Sequence, residues 1–316
     1  MIKHLPKTPM QQFIQQPVTI TKDQLTIVVP VKNEELAISP VIDELLEEGY
    51  CNILIVDGYS ADKTLQIIGG KQGVKLIQQH GRGKTGAIKT AIEYVTTPYL
   101  LILDGDYTYQ AKDIQRLLNH CANYAQVIGI RDRSNISLIH RFGNWIITKS
   151  FNLLMGTNLS DICSGMYLLK TEAAKNIEFG SRNFATEVEI AAQTVAEYQV
   201  TEVPIGYRPR LGKAKLSWRN GFEILSSVVS LARKYNPVLL FSAFSLLSII
   251  PAITILVWVV FSQLFLGVWH NGWALMGVML LLFASQALAI GTMVFLLKRT
   301  EKRIIQRIEN TQSIET

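Results

Sequence analysis

Cysteine is scarce in this chain of 316 residues: Cys51, Cys121 and Cys163 are the only three. An odd number without metal-ligand spacing excludes a disulfide framework and a cysteine-built zinc centre, and it fits thiols kept reduced in the cytosol. Charge is missing from one long stretch. Residues 236–297 contain no Asp, Glu, Lys or Arg, whereas a bilayer-spanning helix needs only about 20 apolar residues. So long an uncharged run is hard to enclose in a soluble domain of this size, and two spans are expected, at 237–264 and 273–297, around the polar break Trp269-His270-Asn271-Gly272. The N-terminus has no apolar signal-peptide core. Residues 1–24 mix Lys, Gln, Thr and three prolines and read as a loose cytoplasmic tail. Internal repeats and low-complexity segments are also absent.

Lys and Arg outnumber Asp and Glu by 31 to 25, giving a net charge of +6 and a pI near 9.1. Such a balance invites a nucleic-acid partner, but the placement of the charge argues against one. Arg233 and Lys234 precede the first expected span, and Lys298, Arg299, Lys302 and Arg303 follow the second, while the connection between them carries no charge. That asymmetry predicts a multi-pass protein of the cell membrane with both termini cytoplasmic. The expected organisation is a tail at 1–24, a catalytic domain at 25–216, an interfacial amphipathic helix at 217–236, a hairpin of two transmembrane helices at 237–299 and a cytoplasmic tail at 300–316. The interfacial helix is expected because Phe222, Ile224, Leu225, Val228, Val229 and Leu231 interleave with serines between basic ends.

Within the catalytic domain, apolar runs of strand length alternate with helical patterns. Strands are expected at 25–31, 52–56, 74–78, 99–103, 126–130 and 198–204, and helices at 35–48, after Asp62 as cap, up to Tyr94, at 138–155 and at 185–197. This alternation predicts an α/β fold with a mostly parallel sheet flanked by helices. Polar clusters follow successive strands, which is where an open α/β sheet places its ligand crevice.

The most informative cluster is Asp104-Gly105-Asp106, directly after the run Tyr99 to Leu103. Two hard oxygen donors at a strand end can share one Mg²⁺ or Mn²⁺ with a substrate diphosphate, and Gly105 lets the backbone turn closely. The same tripeptide also suits an ordinary turn. Gly81-Arg82-Gly83-Lys84-Thr85-Gly86 lacks the spacing of a Walker phosphate loop, leaving an anion site around Lys84 or a structural turn as readings. No Gly-x-Gly-x-x-Gly follows the first strand, which argues against a dinucleotide cofactor. His4, His80, His120, His140 and His270 are scattered and form no cluster.

Taken in order, Val29-Pro30-Val31-Lys32-Asn33-Glu34, Val56-Asp57-Gly58 with Ser60, Asp62 and Thr64, and Asp104-Gly105-Asp106 resemble the family 2 glycosyltransferases with a GT-A fold. Ser164-Gly165-Met166, Phe184 with Glu187 and Glu189, and Glu202-Val203-Pro204-Ile205 followed by Arg208, Arg210, Gly212, Lys213 and Lys215 are similar to the polyprenyl-phosphate glycosyltransferases, the group that includes dolichol-phosphate mannose synthase. The two-span tail resembles members carrying a membrane hairpin. The resemblance implies that Pro30, Glu34 and Asp57 line the nucleoside pocket, that Lys84 and Asp104 also serve the nucleotide sugar, and that Asp104 and Asp106 hold Mg²⁺ or Mn²⁺. It further implies a catalytic set of Asp104, Asp106, Arg131, Arg208 and Lys213, with Arg141, Ser164, Arg210 and Lys215 on the acceptor phosphate. Gly58 stands where many members have a second Asp, and Thr108 where many have a metal-holding Gln. The Gln-x-x-Arg-Trp signature of processive synthases is absent, which favours a single transfer.

The activity so implied moves one sugar, with inversion, from a GDP- or UDP-linked donor to a polyprenyl phosphate of the dolichyl type. An anionic acceptor needs positioning by Arg and Lys more than it needs a general base, in keeping with the lack of an obvious base in the sequence. Glu187 and Glu189 either orient groups in the site or are solvated helix residues. Two rivals stand beside this reading: transfer to a hydroxyl of a glycolipid, which would require a carboxylate base, and a membrane-anchored sugar-nucleotide binder without turnover. A homo-oligomer is allowed, not required.

Overall fold

The computed structural model describes residues 20–180, 186–212 and 237–315, with Ser230. The expected interfacial helix, apart from Ser230, lies outside the described residues, as do residues 1–19 of the expected tail and Phe184, Lys213 and Lys215. In chain order the elements are β1 (Leu25–Val31), α1 (Ile38–Glu47), β2 (Ile53–Asp57), α2 (Thr64–Gly69), β3 (Val74–Gln78), α3 (Gly83–Tyr94), β4 (Tyr99–Leu103), α4 (Ile114–Leu118), β5 (Gln126–Arg131), α5 (Leu138–Met155), β6 (Met166–Lys170), α6 (Thr171–Lys175), α7 (Thr186–Glu197), β7 (Val200–Ile205), α8 (Pro237–Leu266) and α9 (Asn271–Glu315). They fall into two compact units. One gathers the described residues of Met1–Asn135, Ser164–Arg182 and Glu197–Ala214, and the other those of Ile136–Cys163, Asn183–Ala196 and Lys215–Thr316.

The first unit holds a seven-stranded sheet in the order β3-β2-β1-β4-β6-β5-β7. Its central strands are mostly apolar because helices cover both faces: Ile27, Val28 and Val29 of β1 and Leu100, Leu101 and Ile102 of β4 are fully buried. Helix α1 buries Ile38, Val41, Ile42 and Leu45, the three-and-four spacing of one helical face. The edge strand β3 is more exposed and carries Lys75, which discourages pairing with another chain. One strand departs from the expected pattern. β6 runs antiparallel to both β4 and β5. It was legible only as a Ser-Gly-Met motif, because four apolar residues before Lys170 carry no period that distinguishes strand from buried helix, and nothing local encodes direction.

Strands β1, β2 and β3 step outward in one direction, and β4 returns to the other side of β1. The strand order therefore reverses between β1 and β4, which makes their carboxyl ends the switch point of the sheet. Pairing explains how the sheet opens there. The β1–β4 ladder stops at Val28 and Ile102, whereas β1 stays paired to β2 as far as Val31 and Asp57. Pro30, which has no N–H to donate, lies beyond the last β1–β4 pair, where its missing donor costs least.

In the second unit, α8 and α9 contain segments Leu240–Leu266 and Asn271–Leu297, each long and apolar enough to cross a membrane. Large apolar side chains such as Leu247, Leu264 and Phe265 are exposed on them, unlike those of a soluble core helix. The two helices pack against each other at small residues. A Cβ on Gly277 would sit 2.7 Å from Leu256 Cγ, and one on Gly291 would sit 3.0 Å from Phe241 Cβ, so glycine permits the antiparallel contact. The polar break is shorter than expected, since Asn271 and Gly272 already belong to α9, and α9 continues to Glu315.

Candidate active site

Three loops leave the carboxyl ends of the adjacent strands β2, β1 and β4, and each contains a non-glycine residue with positive φ: Tyr59 at 63°, Asn33 at 52° and Tyr107 at 68°. Such conformations are costly and persist where surrounding contacts enforce them. Those contacts are visible in the first two loops. Asn33 N–H donates to Ser60 Oγ at 2.9 Å, Ala61 N–H donates to Asn33 Oδ1 at 2.8 Å, and Glu34 N–H donates to Thr64 Oγ1 at 2.8 Å. Asp57 is buried at the end of β2 and accepts the N–H groups of Tyr59 and Ser60 at 3.0 and 3.1 Å. Its carboxylate thus shapes its own loop. Asp62 does not cap α2 in the expected way: the N-cap is Lys63, and Asp62 instead accepts from the Thr64 amide and hydroxyl and from the Glu35 amide. At Gly58, where many family members have a second Asp, a Cβ would lie 3.2 Å from the Val31 carbonyl oxygen, a tight contact.

Asp104 and Asp106 stand at the switch point. Gly105 between them presses on β1 so closely that a Cβ would come within 2.7 Å of Val31 Cγ1. Asp106 is nearly buried. Its Oδ1 accepts the Thr108 hydroxyl at 2.6 Å and the Thr108 amide at 3.2 Å, and its Oδ2 accepts Arg210 Nη1 at 3.1 Å. The second terminal nitrogen of Arg210 donates to Glu34 Oε1, so one guanidinium joins the loop after β1 to the loop after β4. Arg210 Nε is buried without a hydrogen-bond partner among the described residues. Asp104 Oδ1 is paired with Lys84 Nζ from the first turn of α3. Against the other oxygen lies Gly165, whose added Cβ would fall 2.0 Å from Asp104 Oδ2. Thr108 thus has a definite task, fixing one oxygen of Asp106.

The remaining expected residues distribute unevenly. Arg208 does not present its guanidinium to an open phosphate site. Its terminal nitrogens donate to Glu44 at 2.6 and 2.9 Å and to the Tyr109 carbonyl at 2.5 Å, and Nε donates to the Tyr107 carbonyl at 3.1 Å. Ser164 is also turned inward, 1% exposed, with its hydroxyl 3.4 Å from the Met166 carbonyl it donates to. Arg131, at the end of β5, lies over the Tyr207 ring at 5.5 Å. Burial pushes the Tyr207 hydroxyl above the ordinary tyrosine value, with Asp106 and Asp104 acting the same way against Arg131 and a hydrogen bond with Thr108. Tyr207 packs edge-on against Tyr109, whose hydroxyl accepts the Gly165 N–H at 2.7 Å. Arg141 is exposed on α5 in the second unit, and Glu187 and Glu189 open α7 there.

A protein-family model described as Glycosyl transferase family 2 matches residues 26–178, which span β1 to α6 and include Glu34, Asp57, Lys84, Asp104 and Asp106. The Methanocaldococcus jannaschii protein MJ1222 is 34% identical over 170 residues, covering 50% of this chain and 69% of that one. The chain belongs to glycosyl transferase family 2. Two relatives from Haloferax volcanii extend the likeness. Glycosyltransferase AglJ is 28% identical over 302 residues, 92% of this chain and 99% of its own, and a dolichyl-phosphate hexose transferase is 27% identical over 216 residues, 66% and 94%. Among solved structures, glucosyl-3-phosphoglycerate synthase from Mycobacterium tuberculosis, crystallised with Mn²⁺, UDP-glucose and phosphoglyceric acid, shares the fold with a TM-score of 0.54 at 15% identity, covering 66% of this chain and 79% of that one.

As a glycosyltransferase the protein carries a donor set suited to a divalent ion that is completed by substrate. Among the described residues no group of three or more His, Cys, Asp or Glu side chains could hold a metal by itself. Mg²⁺-type ions are commonly bound by one or two carboxylates together with substrate phosphates. Asp104 and Asp106 are two carboxylates that could form such a pair, and each is paired with a cation of the chain, Lys84 and Arg210 respectively. Sequence reasoning missed Tyr109, Tyr207 and Glu44. The two tyrosines carry no charge pattern, and Glu44 sits on a helix where an acidic residue reads as solvated.

Proposed function

We propose that this glycosyltransferase is membrane-bound and inverting, and that it moves one sugar from a GDP- or UDP-linked donor to a polyprenyl phosphate of the dolichyl type. The observation that carries the reading is the Asp106 carboxylate at the sheet's switch point, held on one oxygen by Thr108 and paired on the other with Arg210. Likeness over 66% of the chain to a dolichyl-phosphate hexose transferase supports the acceptor, and likeness over 92% of it to the glycosyltransferase AglJ supports sugar transfer. The two bilayer-length helices support a membrane setting, and the basic residues outside them support cytoplasmic termini.

Asp104 and Asp106 would hold Mg²⁺ or Mn²⁺, which neutralises charge on the departing nucleoside diphosphate when bound. Lys84 and Arg210 add fixed positive charge beside the same carboxylates, favouring phosphate oxygens over water. Glu34, Pro30 and Asp57 form the nucleoside side, with Asp57 acting by shaping its loop. On the acceptor side a phosphate oxygen forms the new bond to the anomeric carbon as the bond to the diphosphate breaks, and attack from the opposite face inverts that carbon. The acceptor is already ionised, so Arg131 and Arg210 need only orient it, and the sequence supplies further positive charge at Arg141, Lys213 and Lys215.

The test is transfer by the full chain in detergent from radiolabelled GDP- and UDP-sugars to polyprenyl phosphate or to hydroxylated glycolipids, read by extraction into organic solvent. Label is expected in the polyprenyl phosphate alone. Label confined to the hydroxyl acceptors overturns the acceptor assignment, and absence of nucleotide release with every acceptor overturns the activity.

A further inference from the structure

We propose that Glu44, on α1 and outside every strand-end motif, is a positioning residue for the loop from Asp104 to Tyr109, acting through Arg208; the consequence for metal binding rests on the function proposed above. The geometry forms one continuous chain of contacts. Arg208 bonds to three consecutive carbonyls of this loop, accepted by Tyr107 from Nε, by Thr108 from the Arg208 backbone N–H at 2.8 Å, and by Tyr109 from a terminal nitrogen. Its guanidinium carbon also lies 3.7 Å from the centre of the Tyr107 ring, at the residue with φ of 68°. Thr108, in the middle of the three, gives its amide and hydroxyl to Asp106.

What holds Arg208 in that place is Glu44. Both carboxylate oxygens accept from the two terminal nitrogens, a bidentate pair that fixes the plane of the guanidinium as well as its position. The Tyr107 hydroxyl and the Ala111 N–H also bond to Glu44. Glu44 therefore grips the loop at both flanks of Thr108. Without it, Arg208 keeps only neutral carbonyl and ring partners, and a half-buried cation loses the charged group that holds its guanidinium against the loop. The pair joins an element that crosses between β1 and β2 to the segments after β4 and β7, a link between residues 164 positions apart.

The experiment uses the full chain in detergent and compares Glu44→Ala, Glu44→Gln and Asp106→Asn with wild type. Hydrogen exchange of residues 104–109 and the affinity for Mn²⁺ alone, by electron paramagnetic resonance, are read on folded protein. Loss of a supporting contact behind a metal ligand typically weakens metal affinity by about 10- to 100-fold. Glu44→Ala is expected to fall in that range and to raise exchange in 104–109 while β2 and β3 exchange as before; Glu44→Gln, which keeps the size and tests the case where alanine does not fold, is expected to lie between. Exchange in 104–109 unchanged in both variants overturns the proposal, and so does raised exchange with Mn²⁺ affinity within about twofold of wild type. If Asp106→Asn itself binds Mn²⁺ as wild type does, the metal reading fails, and exchange in 104–109 alone then decides whether Glu44 positions the loop.

Discussion

Asp106 has almost no freedom. Thr108 takes one oxygen and Arg210 the other, so Asp106→Asn replaces a charged acceptor by an amide that must point an N–H toward either a donor or a cation. Transfer is expected to drop by about 100-fold or more, as when a preorganised electrostatic group is removed. Fold is expected to survive, because Arg210 keeps Glu34; thermal unfolding and the radiolabel assay check the two halves. Glu44 makes a pH prediction. Burial works to raise its pKa, but hydrogen bonds from Arg208 and Tyr107, the charge of Arg208 and the Ala111 N–H outweigh it and hold the carboxyl below the ordinary value of 4.5. A folded value below the unfolded one means that the stabilisation is complete above the unfolded value and is lost as pH falls through the folded one. The Tm advantage of wild type over Glu44→Gln should therefore be constant near neutrality and shrink in acid below about pH 4.5.

Two glycines separate the cost of folding from the cost to the site. At Gly105 an added methyl meets Val31 Cγ1 and Val29 Cγ1, core groups of a central strand that cannot yield, so Gly105→Ala is expected to lose about 1–3 kcal/mol of stability. At Gly165 the nearest atoms that the methyl meets are the carboxylate of Asp104, the far end of a side chain. Gly165→Ala should keep a Tm close to wild type while transfer falls about tenfold or more, because Asp104 must swing away from Lys84. Chemical denaturation and initial rates distinguish the two.

The elements also show what could be read from the sequence. β1, β3, β4 and α5 begin and end where their apolar runs and flanking polar residues place them. The place of Asp104 and Asp106 just beyond a buried strand was legible because the apolar run Tyr99 to Leu103 stops there, although the same tripeptide also suits an ordinary turn. The direction of β6, the junction of Glu34 with Arg210 across 176 positions and the capture of Arg208 by Glu44 were not, since each depends on which segments meet in three dimensions. Arg208 and Arg210 look alike in the run Arg-Pro-Arg. Only the fold shows one gripping a loop and the other bridging the two sides of the switch point.

At the scale of the whole molecule, the arrangement of Lys and Arg outside two charge-free helices predicts the membrane orientation. In intact cells, a cysteine at Asn271 is expected to react with an impermeant thiol reagent, and one at Gln312 only after permeabilisation. The reverse pattern would put the donor's compartment on the wrong side. The connection Trp258, His270 and Trp273, with ring centres 4.7 and 6.2 Å apart around Trp258, supplies the kind of aromatic anchor found at bilayer surfaces.

The way the chain leaves the sheet unit and returns to it bears on any attempt to obtain a water-soluble enzyme. Segments Ile136–Cys163 and Asn183–Ala196 are gathered with Lys215–Thr316 rather than with the sheet. Ending the polypeptide after Leu216 would remove the greater part of their unit and leave α5, already bearing exposed Leu138, Ile139 and Phe142, without it. Such a fragment is expected to sediment as aggregate or to demand detergent despite lacking both long apolar helices, and centrifugation of the expressed fragment with and without detergent would show it.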